Sequence, residues 1–519
     1  MAIIGIDLGT TNSVVCEYKK GLTHIIKIDG KDTIPSVVFF DNNNVEIGDK
    51  AKRRVLIHPD LTLCSMKRHI GTKHSQKIQG KKYTPFDSAF YILKYIKDNV
   101  EKNIGESITD AVITVPAYFN DQQRKDTREA AEKAGYKVLR LVPEPTAAAI
   151  AYGLDKEKDQ MILVFDLGGG TFDVSILEVH SNNFTVKAVD GNSQLGGDDF
   201  DNKIVEFLNK WVEETSGKSI RGDICAQQKL KEEAEKIKID LSQSKYTEIV
   251  IPDIVKGVSI DIEKFTRKEF KNLIQPYIND MIKKTKDVIN SADISVDDVN
   301  RIVMVGGSSK NPIIQEMLTE NFKQPYRADD MDTYVAQGAA IVCASLLSPV
   351  DQENKSLPVD LDFSDVISHS LGIEMLDDAT KTMVFVPILK RNEKYPAKNA
   401  VIGSRMNIWQ EEVRIGVFRG EEHLPQKNTR LGELKMEISP IYRGESIPLI
   451  FSCIFELDED GILTFTAVEI PVDDTNRNEI QQIGQEHDQN QMVSYDRIKS
   501  LIDQYNFKSK KVEIIGGFL

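Results

Sequence analysis

The chain has 519 residues, of which 40% are hydrophobic and 28% charged, and its formal net charge is −14. This apolar content excludes a disordered chain, and the length allows several domains. The excess of acidic residues argues against nonspecific binding to nucleic acid or to an anionic membrane, because both need a basic surface. We therefore expect a multidomain globular protein that has neither nucleic acid nor membrane as a partner.

The five cysteines form no CxxC pair and are scattered along the chain (Cys16, Cys64, Cys225, Cys343 and Cys453). This pattern predicts neither a disulfide framework nor a zinc site, and it is typical of idle thiols in a reducing compartment. The N-terminus lacks a basic region, and Asp7 interrupts its apolar run, so we expect no signal peptide. The longest apolar stretch, residues 335–347, is too short to span a bilayer. Cytoplasmic localisation is the resulting prediction.

An internal repeat organises the N-terminal part of the chain. Residues 3–15 (IIGIDLGTTNSVV) recur as residues 162–176 (ILVFDLGGGTFDVSI), which places Asp7 and Asp166 159 positions apart. Each copy reads as a buried strand, a turn with Asp-Leu-Gly and threonine, and a second β-rich run. A repeat of this length predicts two related domains that face each other, whereas a short period would predict a solenoid.

Strands alternate with helices after each copy of the repeat. The apolar run at residues 111–115 predicts a strand that ends at Pro116, and residues 122–134 predict a charged amphipathic helix. A second apolar run, residues 301–305, precedes a helix that begins near Pro312. Such alternation predicts an α/β sheet with ligands bound at the strand ends.

The sequence changes in character after Pro349. Residues 351–365 are polar and acidic and predict a linker. From Ser370 to about Ile470, short alternating runs separated by turn signals predict an all-β sandwich. One amphipathic stretch, residues 493–505, follows in a polar tail. The predicted boundaries are 1–349 for the α/β part, 350–366 for the linker, 367–472 for the sandwich and 473–519 for the tail.

The two Asp-Leu-Gly turns point to phosphate and metal chemistry. Small residues let backbone N–H groups approach phosphate oxygens, and threonine hydroxyls add donors. An aspartate at a strand end repels phosphate but can hold Mg²⁺ or its waters. Asp7 and Asp166 are therefore predicted metal-shell residues, with Asp173 beside them. One such turn is common in proteins, whereas two in register are hard to explain as structural turns alone.

Six segments match one family in order along the chain: residues 4–13, 115–121, 144–149, 165–173, 195–201 and 305–307. Here the sequence resembles the seventy-kilodalton heat-shock chaperones of the DnaK type, from the first strand to about Ala467. The resemblance implies an α/β actin-like ATPase domain, duplicated into two lobes, followed by a β-sandwich that binds peptide. The implied function is an ATP-dependent chaperone that binds and releases extended apolar segments of unfolded polypeptides. Water attacks ATP directly in this reaction, giving ADP and phosphate.

The resemblance also implies roles for single residues. Lys67 matches the catalytic lysine, which orients the attacking water, and Glu144, Asp173 and the Thr171 hydroxyl are implied around it. The implied nucleotide contacts are Gly9, Thr10, Thr11, Asn12, Gly168, Gly169, Gly170, Glu235, Lys238, Ser242, Gly306, Gly307 and Lys310. Of these, Glu235, Lys238 and Ser242 lie on one face of a predicted helix, where they would hold adenosine. ATP or ADP, Mg²⁺ and K⁺ are the implied cofactors.

Two further groups of residues are implied outside the nucleotide site. Pro116 and Arg124 match the family's relay between nucleotide state and domain docking. The peptide pocket is implied at Ile373, Leu376, Met406, Val413 and Ile415. Alternating apolar residues in a sandwich are equally well explained as core, so that alternative stays open for each of the five.

The sequence departs from the family pattern in several places. Lys310 stands where the family carries an arginine that packs over adenine, and lysine lacks that planar surface. Gly403 replaces a bulky aromatic wall of the peptide pocket, and Met406 replaces a small arch residue. The linker at 360–365 lacks the usual leucines, so we expect weak coupling between the domains. Shortened stretches after Gly71 and after Ile251 resemble the HscC-like branch.

The helical lid that follows the sandwich in this family is missing from the sequence, except for residues 493–505. We therefore expect either a truncated chain or a lidless variant with fast peptide exchange. The implied partners are unfolded polypeptide segments, a J-domain co-chaperone and a nucleotide exchange factor.

Two alternatives stay open. A nucleotide-dependent adaptor or co-chaperone with weak or uncoupled ATPase activity is favoured by the linker and the missing lid, but not by the complete catalytic set. A metabolite kinase on the same fold would leave the sandwich and residues 144–149 unexplained.

Overall fold

The predicted repeat appears in the structure as two sheets with the same arrangement of strands. The structure is a computed structural model, and it describes residues 2–42, 44–153, 159–326, 331–347, 361–377, 379–404, 412–437, 450–470, 478–479, 495–505 and 509–511. The chain divides into two compact units, Met1–Asp365 and Val366–Leu519.

The first half of the first unit contains the strands β1 (Ile3–Asp7), β2 (Asn12–Lys19), β3 (Leu22–Ile25), β4 (Ile34–Pro35), β5 (Val38–Asp41), β6 (Asn44–Ile47), β7 (Thr62–Leu63), β8 (Gln76–Ile78), β9 (Lys81–Tyr83), β10 (Asp110–Val115) and β11 (Lys137–Pro143). Its helices are α1 (Asp49–Arg54), α2 (Pro85–Ile104), α3 (Asp121–Lys133) and α4 (Glu144–Gly153).

The second half contains the strands β12 (Gln160–Leu167), β13 (Phe172–His180), β14 (Asn183–Asn192), β15 (Tyr246–Val255), β16 (Val258–Thr266), β17 (Arg301–Val305) and β18 (Asp362–Val366). Its helices are α5 (Gly197–Ser216), α6 (Ile224–Gln243), α7 (Arg267–Ser291), α8 (Pro312–Asn321) and α9 (Tyr334–Leu346).

Four strands of each sheet repeat one arrangement. The order β10-β1-β2-β3 in the first sheet corresponds to β17-β12-β13-β14 in the second, and β11 and β18 extend the two sheets at opposite ends. In the first, β1 runs parallel to β10 and antiparallel to β2. In the second, β12 runs parallel to β17 and antiparallel to β13. This correspondence confirms the predicted duplication, and it brings Asp7 and Asp166 to the ends of equivalent strands.

The predicted helix and strand boundaries agree with the structure where local signals are strong. Helix α3 begins one residue before the predicted start, because Asn120 caps it by accepting a hydrogen bond from the Gln123 backbone N–H at 3.0 Å. Strand β17 lies in the predicted apolar run and ends before its two glycines, and α8 begins at Pro312, near which a helix was predicted to begin. Proline is well tolerated at the first position of a helix, since the N–H it lacks would have no partner there.

The end of the predicted linker forms a strand. Residues 350–360 lie outside the described residues, but β18 pairs in parallel with β14, with Phe363 opposite Phe184. The Arg140 guanidinium lies 5.4 Å from the Phe363 ring centroid. The buried Thr146 hydroxyl donates a hydrogen bond to the Asp365 carboxylate at 2.7 Å. These contacts hold residues 362–365 against the first unit.

The second unit is a β-sandwich. Its strands are β19 (Leu371–Asp377), β20 (Thr382–Leu389), β21 (Lys394–Tyr395), β22 (Ala397–Ser404), β23 (Glu412–Arg419), β24 (Thr429–Glu437), β25 (Ile450–Leu457), β26 (Leu463–Ile470) and β27 (Ser509–Lys511), and its helix is α10 (Tyr495–Tyr505). One sheet has the order β20-β19-β23-β24, and the other β22-β25-β26-β27.

The second sheet of the sandwich is buried on both faces. Because side chains alternate along a strand, Val401, Cys453 and Ala467 enter the core shared with the first sheet. Ile402 and Ile454 point to the opposite face, where they pack against Ile498 and Leu501 of α10 and are shielded from water. The amphipathic stretch predicted at 493–505 is therefore a helix that covers this face.

Three of the five cysteines are buried, and none of the five, all of which the structure describes, forms a disulfide. Burial raises the pKa of the thiols of Cys16, Cys343 and Cys453 to about 12, which keeps them protonated and unreactive. None of the helices that the structure describes is long and apolar enough to cross a bilayer.

Candidate nucleotide-binding site

A cavity of about 330 Å³ is lined by residues from both halves of the first unit. Most of the predicted catalytic and nucleotide-binding residues line it: Asp7, Gly9, Thr10, Thr11, Asn12, Lys67, Glu144, Asp166, Gly168, Gly169, Thr171, Glu235, Lys238, Ser242, Gly306, Gly307 and Lys310. Gly170 and Asp173 lie next to lining residues. The fold therefore collects predicted residues that are up to 303 positions apart, Asp7 and Lys310, into one site.

Lys67 lies in a short 3₁₀ turn, Met66–His69, and points into the cavity. Its Nζ lies 2.7 Å from Glu144 Oε1, and the two side chains are only 8% and 10% exposed. The same Nζ lies 5.6 Å from the centroid of the Phe119 ring. Glu144 is the first residue of α4. The ion pair and the ring hold the Lys67 ammonium group in one position, whereas the ammonium group of a surface lysine would be mobile.

Three buried aspartates surround this ion pair. Asp7 ends β1, and Asp166 in β12 lies directly opposite Asp173 in β13. Burial, reinforced by Glu144, raises the pKa of Asp7 and of Asp173 to about 7, and Lys67 partly offsets the rise. The same causes, with Asp173 added, raise the pKa of Asp166 well above its usual range. The site therefore holds more carboxylates than cations.

This charge imbalance fits a bound cation. Among the residues that the structure describes, no three His, Cys, Asp or Glu side chains are placed to ligate one metal ion directly. Mg²⁺ keeps several waters and commonly binds proteins through one or two carboxylates together with substrate phosphates. Asp7 and Asp166 suit that mode of binding, in which the phosphates supply the remaining oxygen ligands.

The turns after β1 and β12 form a cradle for phosphate. The Thr11 hydroxyl oxygen is buried and has no hydrogen-bond partner among the described residues. A Cβ on Gly169 would collide with Thr11, so only glycine allows the two turns to approach each other. The Gly168 N–H donates to the Thr171 carbonyl at 3.0 Å, which closes the second turn. A phosphate oxygen would give the Thr11 hydroxyl the partner that it lacks.

Helix α6 lines the cavity with the three residues predicted for adenosine. Lys238 Nζ lies 2.7 Å from Asp201 Oδ2, and Glu235 pairs with Lys52 at 3.6 Å. The Ser242 hydroxyl donates to the Lys238 carbonyl at 3.0 Å. Glu235, Lys238 and Ser242 thus share one face of the helix, as predicted.

The segment after β17 forms a neighbouring wall. Gly306 has a φ of 80°, and a Cβ there would lie 2.5 Å from the Leu167 carbonyl oxygen. Glycine is therefore required by the close approach of β17 to β12. Lys310 ion-pairs with Asp332, so part of its charge is already neutralised at the cavity edge.

Sequence reasoning gave no role to several residues that line the cavity, namely Asp198, Asp201, Ile239, Asn311 and Asp332. Asp198 accepts a hydrogen bond from the Ser65 hydroxyl at 2.6 Å, which joins the two halves. Arg68 Nη2 makes a similar connection to both carboxylate oxygens of Asp199, at 3.0 and 3.1 Å. Asp198 and Asp201 lie in the matched segment at 195–201, but only the fold shows what they contact.

The two residues predicted to act as a relay, Pro116 and Arg124, lie at a turn that contacts Asp173. Pro116 follows β10, and the Arg124 guanidinium donates to the carbonyls of Phe119 at 3.1 Å and Ala117 at 3.3 Å. The same turn presents the Tyr118 N–H, which donates to Asp173 Oδ1 at 2.9 Å. Arg124 thus braces a turn that holds Asp173 in place.

The predicted peptide pocket is described in part. Ile373, Val413 and Ile415 pack in the sandwich core. Leu376 is 37% exposed and lies opposite Met383, which is 41% exposed. Met406 lies outside the described residues.

The resemblance predicts that Gly403 stands in place of an aromatic wall of the peptide pocket. In this chain the Phe451 ring fills that space, since its Cε2 lies 2.6 Å from the position of a Cβ on Gly403.

A comparison with protein families agrees with this geometry. The model of one family, described as Hsp70 protein, matches residues 3–512. The match covers both compact units and nearly the whole chain.

Proposed function

The chain belongs to the Hsp70 family, and from this premise we propose that it uses ATP hydrolysis to bind and release extended apolar segments of unfolded polypeptides. The observation that carries the proposal is the buried Lys67–Glu144 ion pair, which lines one cavity with Asp7 and Asp166 and has the buried Asp173 opposite Asp166. A purely structural ion pair would not need three further buried carboxylates around it, because each added carboxylate raises the free-energy cost of burying charge at this site.

The residues of this chain can be assigned to steps of the reaction. Asp7 and Asp166 would hold Mg²⁺, which when bound would neutralise part of the phosphate charge. Lys67 orients the attacking water and stabilises charge on the transferred phosphoryl group, and Glu144 holds Lys67 in position. The hydroxyls of Thr11 and Thr171 donate to phosphate oxygens. No nucleophilic side chain takes part, so water attacks directly.

We include K⁺ in the proposal because the charges around Lys67 do not balance. Four carboxylates (Asp7, Glu144, Asp166 and Asp173) face one lysine, and a divalent ion leaves part of that excess uncompensated. A monovalent cation would offset more of it. Hydrolysis is then expected to be faster in K⁺ than in Na⁺ at equal ionic strength.

The contacts of Asp365 support coupling between the nucleotide site and the peptide-binding unit. Asp365 bonds to Thr146, which lies two residues after Glu144 in α4. Burial raises the pKa of Asp365, and the hydrogen bond from Thr146 and the Arg124 charge partly offset the rise. A short connection through α4 therefore joins the end of the linker to Glu144.

The proposed peptide site uses the five residues implied by the family pattern. Leu376 and its exposed neighbour Met383 form an apolar surface on β19 and β20 that suits an extended apolar segment. Ile373, Val413 and Ile415 would support this surface from the core. A J-domain co-chaperone and a nucleotide exchange factor are the proposed partners.

The test is single-turnover ATP hydrolysis with Mg²⁺ and K⁺, with and without an extended Leu-rich peptide. We expect slow turnover that the peptide accelerates and that Lys67→Ala abolishes. Lys94→Ala is the matched control, since Lys94 is exposed on α2 and pairs there with the exposed Asp98. Hydrolysis that survives in Lys67→Ala would exclude the proposed chemistry.

Two other outcomes would favour the alternatives. Binding of ATP without turnover, or turnover indifferent to the peptide, would favour a nucleotide-dependent adaptor. Transfer of phosphate to a sugar would favour a metabolite kinase.

A further inference from the structure

One wall of the cavity contains a buried side-chain donor that has no hydrogen-bond acceptor among the described residues. Asn311 caps α8, and its Oδ1 accepts a hydrogen bond from the Ile313 N–H at 3.0 Å. The residue lines the cavity and is only 4% exposed. Its Nδ2 has no hydrogen-bond partner among the described residues.

The cap fixes which atom of the carboxamide is left over. A backbone N–H can only donate, so the atom that faces Ile313 must be the oxygen. The unsatisfied group is therefore the NH₂ donor. A buried donor without a partner destabilises the empty site, and a ligand acceptor would remove that cost.

The surroundings of Asn311 indicate which part of a nucleotide it meets. Asn311 directly follows Lys310 in the segment that begins at Gly306. This segment lines the cavity together with the residues of α6 that are predicted to hold adenosine, Glu235, Lys238 and Ser242. The cavity lining also includes Met331, Val335 and Ile239, and Ile239 is 49% exposed although it is a large apolar side chain. Apolar walls with a neutral donor suit a flat heteroaromatic base, whereas phosphate is served by the glycine and threonine turns.

We propose that Asn311 Nδ2 donates a hydrogen bond to a ring nitrogen of the purine base, and that Ile239 packs against the ring. This inference rests on the proposed function, because it needs a nucleotide in the cavity. Purine ring nitrogens such as N3 and N7 are acceptors, and the adenine amino group is a donor. An amide donor at this wall therefore selects for an unsubstituted ring nitrogen.

The experiment measures the affinity of the full chain, with Mg²⁺, for ADP and its 1-deaza, 3-deaza and 7-deaza analogues. Each analogue replaces one ring nitrogen by C–H. Asn311→Asp and Asn311→Ser are the test variants, since both keep an oxygen for the Ile313 N–H and both lose the amide donor. Tripolyphosphate reports on the phosphate turns alone, and thermal unfolding reports on the fold.

We expect one deaza analogue to bind the wild-type chain about tenfold or more weakly than ADP. Both variants should bind ADP more weakly than the wild type does, by a similar factor. Their affinity for that analogue should be close to the wild-type value, because the analogue already lacks the nitrogen that the amide would bond. Affinity for tripolyphosphate should change little in Asn311→Ser.

Three results would overturn the inference. The wild-type chain could bind all four nucleotides equally, the variants could bind ADP as well as the wild type does, or Asn311→Ser could lose the same factor for tripolyphosphate as for ADP. Each of these leaves the chaperone proposal standing if ADP binds. A wild-type chain that binds neither ADP nor tripolyphosphate would remove both proposals.

Discussion

At the scale of single residues, the Lys67–Glu144 pair links stability to catalysis. Both side chains are almost fully buried, so each charge depends on the other. We expect Lys67→Met to lower the free energy of unfolding by about 3–5 kcal/mol, since it leaves Glu144 buried without its partner. Hydrolysis should fall at least about a hundredfold.

The double variant Lys67→Met/Glu144→Gln separates the two effects. It removes the uncompensated charge and should recover most of the lost stability, while hydrolysis stays lost. Chemical unfolding of the nucleotide-free protein measures the first quantity and single-turnover hydrolysis the second. Recovery of hydrolysis in the double variant would contradict the role given to Lys67.

The buried aspartates predict a pH dependence of stability in the nucleotide-free protein. Asp7 and Asp173 have folded-state pKa values of about 7, well above the value of 3.8 expected when they are unfolded. Between pH 8 and pH 6 the folded chain therefore takes up protons that the unfolded chain does not. Stability from these groups rises as the pH falls, by on the order of 1 kcal/mol for each group.

Thermal unfolding across this pH range, with and without Mg²⁺ and ADP, checks this expectation. The ligands should flatten the dependence, because the bound cation favours the ionised carboxylates. Asp173→Asn should flatten it in part without ligand, whereas Asp98→Asn on exposed α2 should not. An equal slope in Asp173→Asn and the wild type would show that other groups cause the dependence.

Some of the site could be predicted from the sequence, and some could not. Asp7 and Asp166 stand out because a repeat marks them, and a strand end is a place where an aspartate can reach a ligand. Lys67 has no local signal, so only the family resemblance identified it. Asn311 was missed because its sequence context is an ordinary helix cap, and its unsatisfied amide becomes visible only when the cavity is formed.

At the scale of elements, Thr146 connects α4 to β18 through Asp365. We expect Thr146→Val to leave basal hydrolysis unchanged within about twofold and to remove most of its acceleration by peptide, because the isosteric change deletes only the hydroxyl. Thr285→Val is the matched control, since that buried hydroxyl bonds to the Met281 carbonyl within α7. Full acceleration by peptide in Thr146→Val would show that this bond does not couple the units.

Helix α10 predicts a separate effect on the sandwich. Ile498 and Leu501 are fully buried against the second sheet. Replacing either with alanine should destabilise the second unit by about 2–5 kcal/mol. Ser500→Ala, on the exposed side of the helix, should change the free energy of unfolding by less than about 0.5 kcal/mol. Unfolding in urea compares the three, and a similar small loss for all would mean that α10 adds little to the sandwich.

Helices and strands were predicted correctly where neighbouring residues in the sequence determine them, and missed where tertiary contacts do. The bounds of α3 follow from its capping residues, and those of β17 from an apolar run. Strand β18 was assigned to the linker, because its sequence, Asp-Phe-Ser-Asp-Val, is polar and carries no strand pattern. Its pairing with β14 comes from tertiary contacts, which a local pattern does not contain.

At the scale of the whole molecule, the division after Asp365 predicts that the units can be separated. Each has its own hydrophobic core. We expect residues 1–365 alone to unfold cooperatively and to hydrolyse ATP at the basal rate of the full chain, without response to peptide. A loss of basal hydrolysis on truncation would mean that the nucleotide site needs the second unit.

The pairing of β18 with β14 has a consequence for self-association of this protein. Strand β18 takes up N–H and C=O groups along β14 that would otherwise face water. Whenever β18 detaches, this row becomes an open template for any extended chain, including another copy of the protein. Detachment of β18 would thus leave β14 as an unpaired strand edge. Self-association should be strongest in the nucleotide state in which β18 detaches.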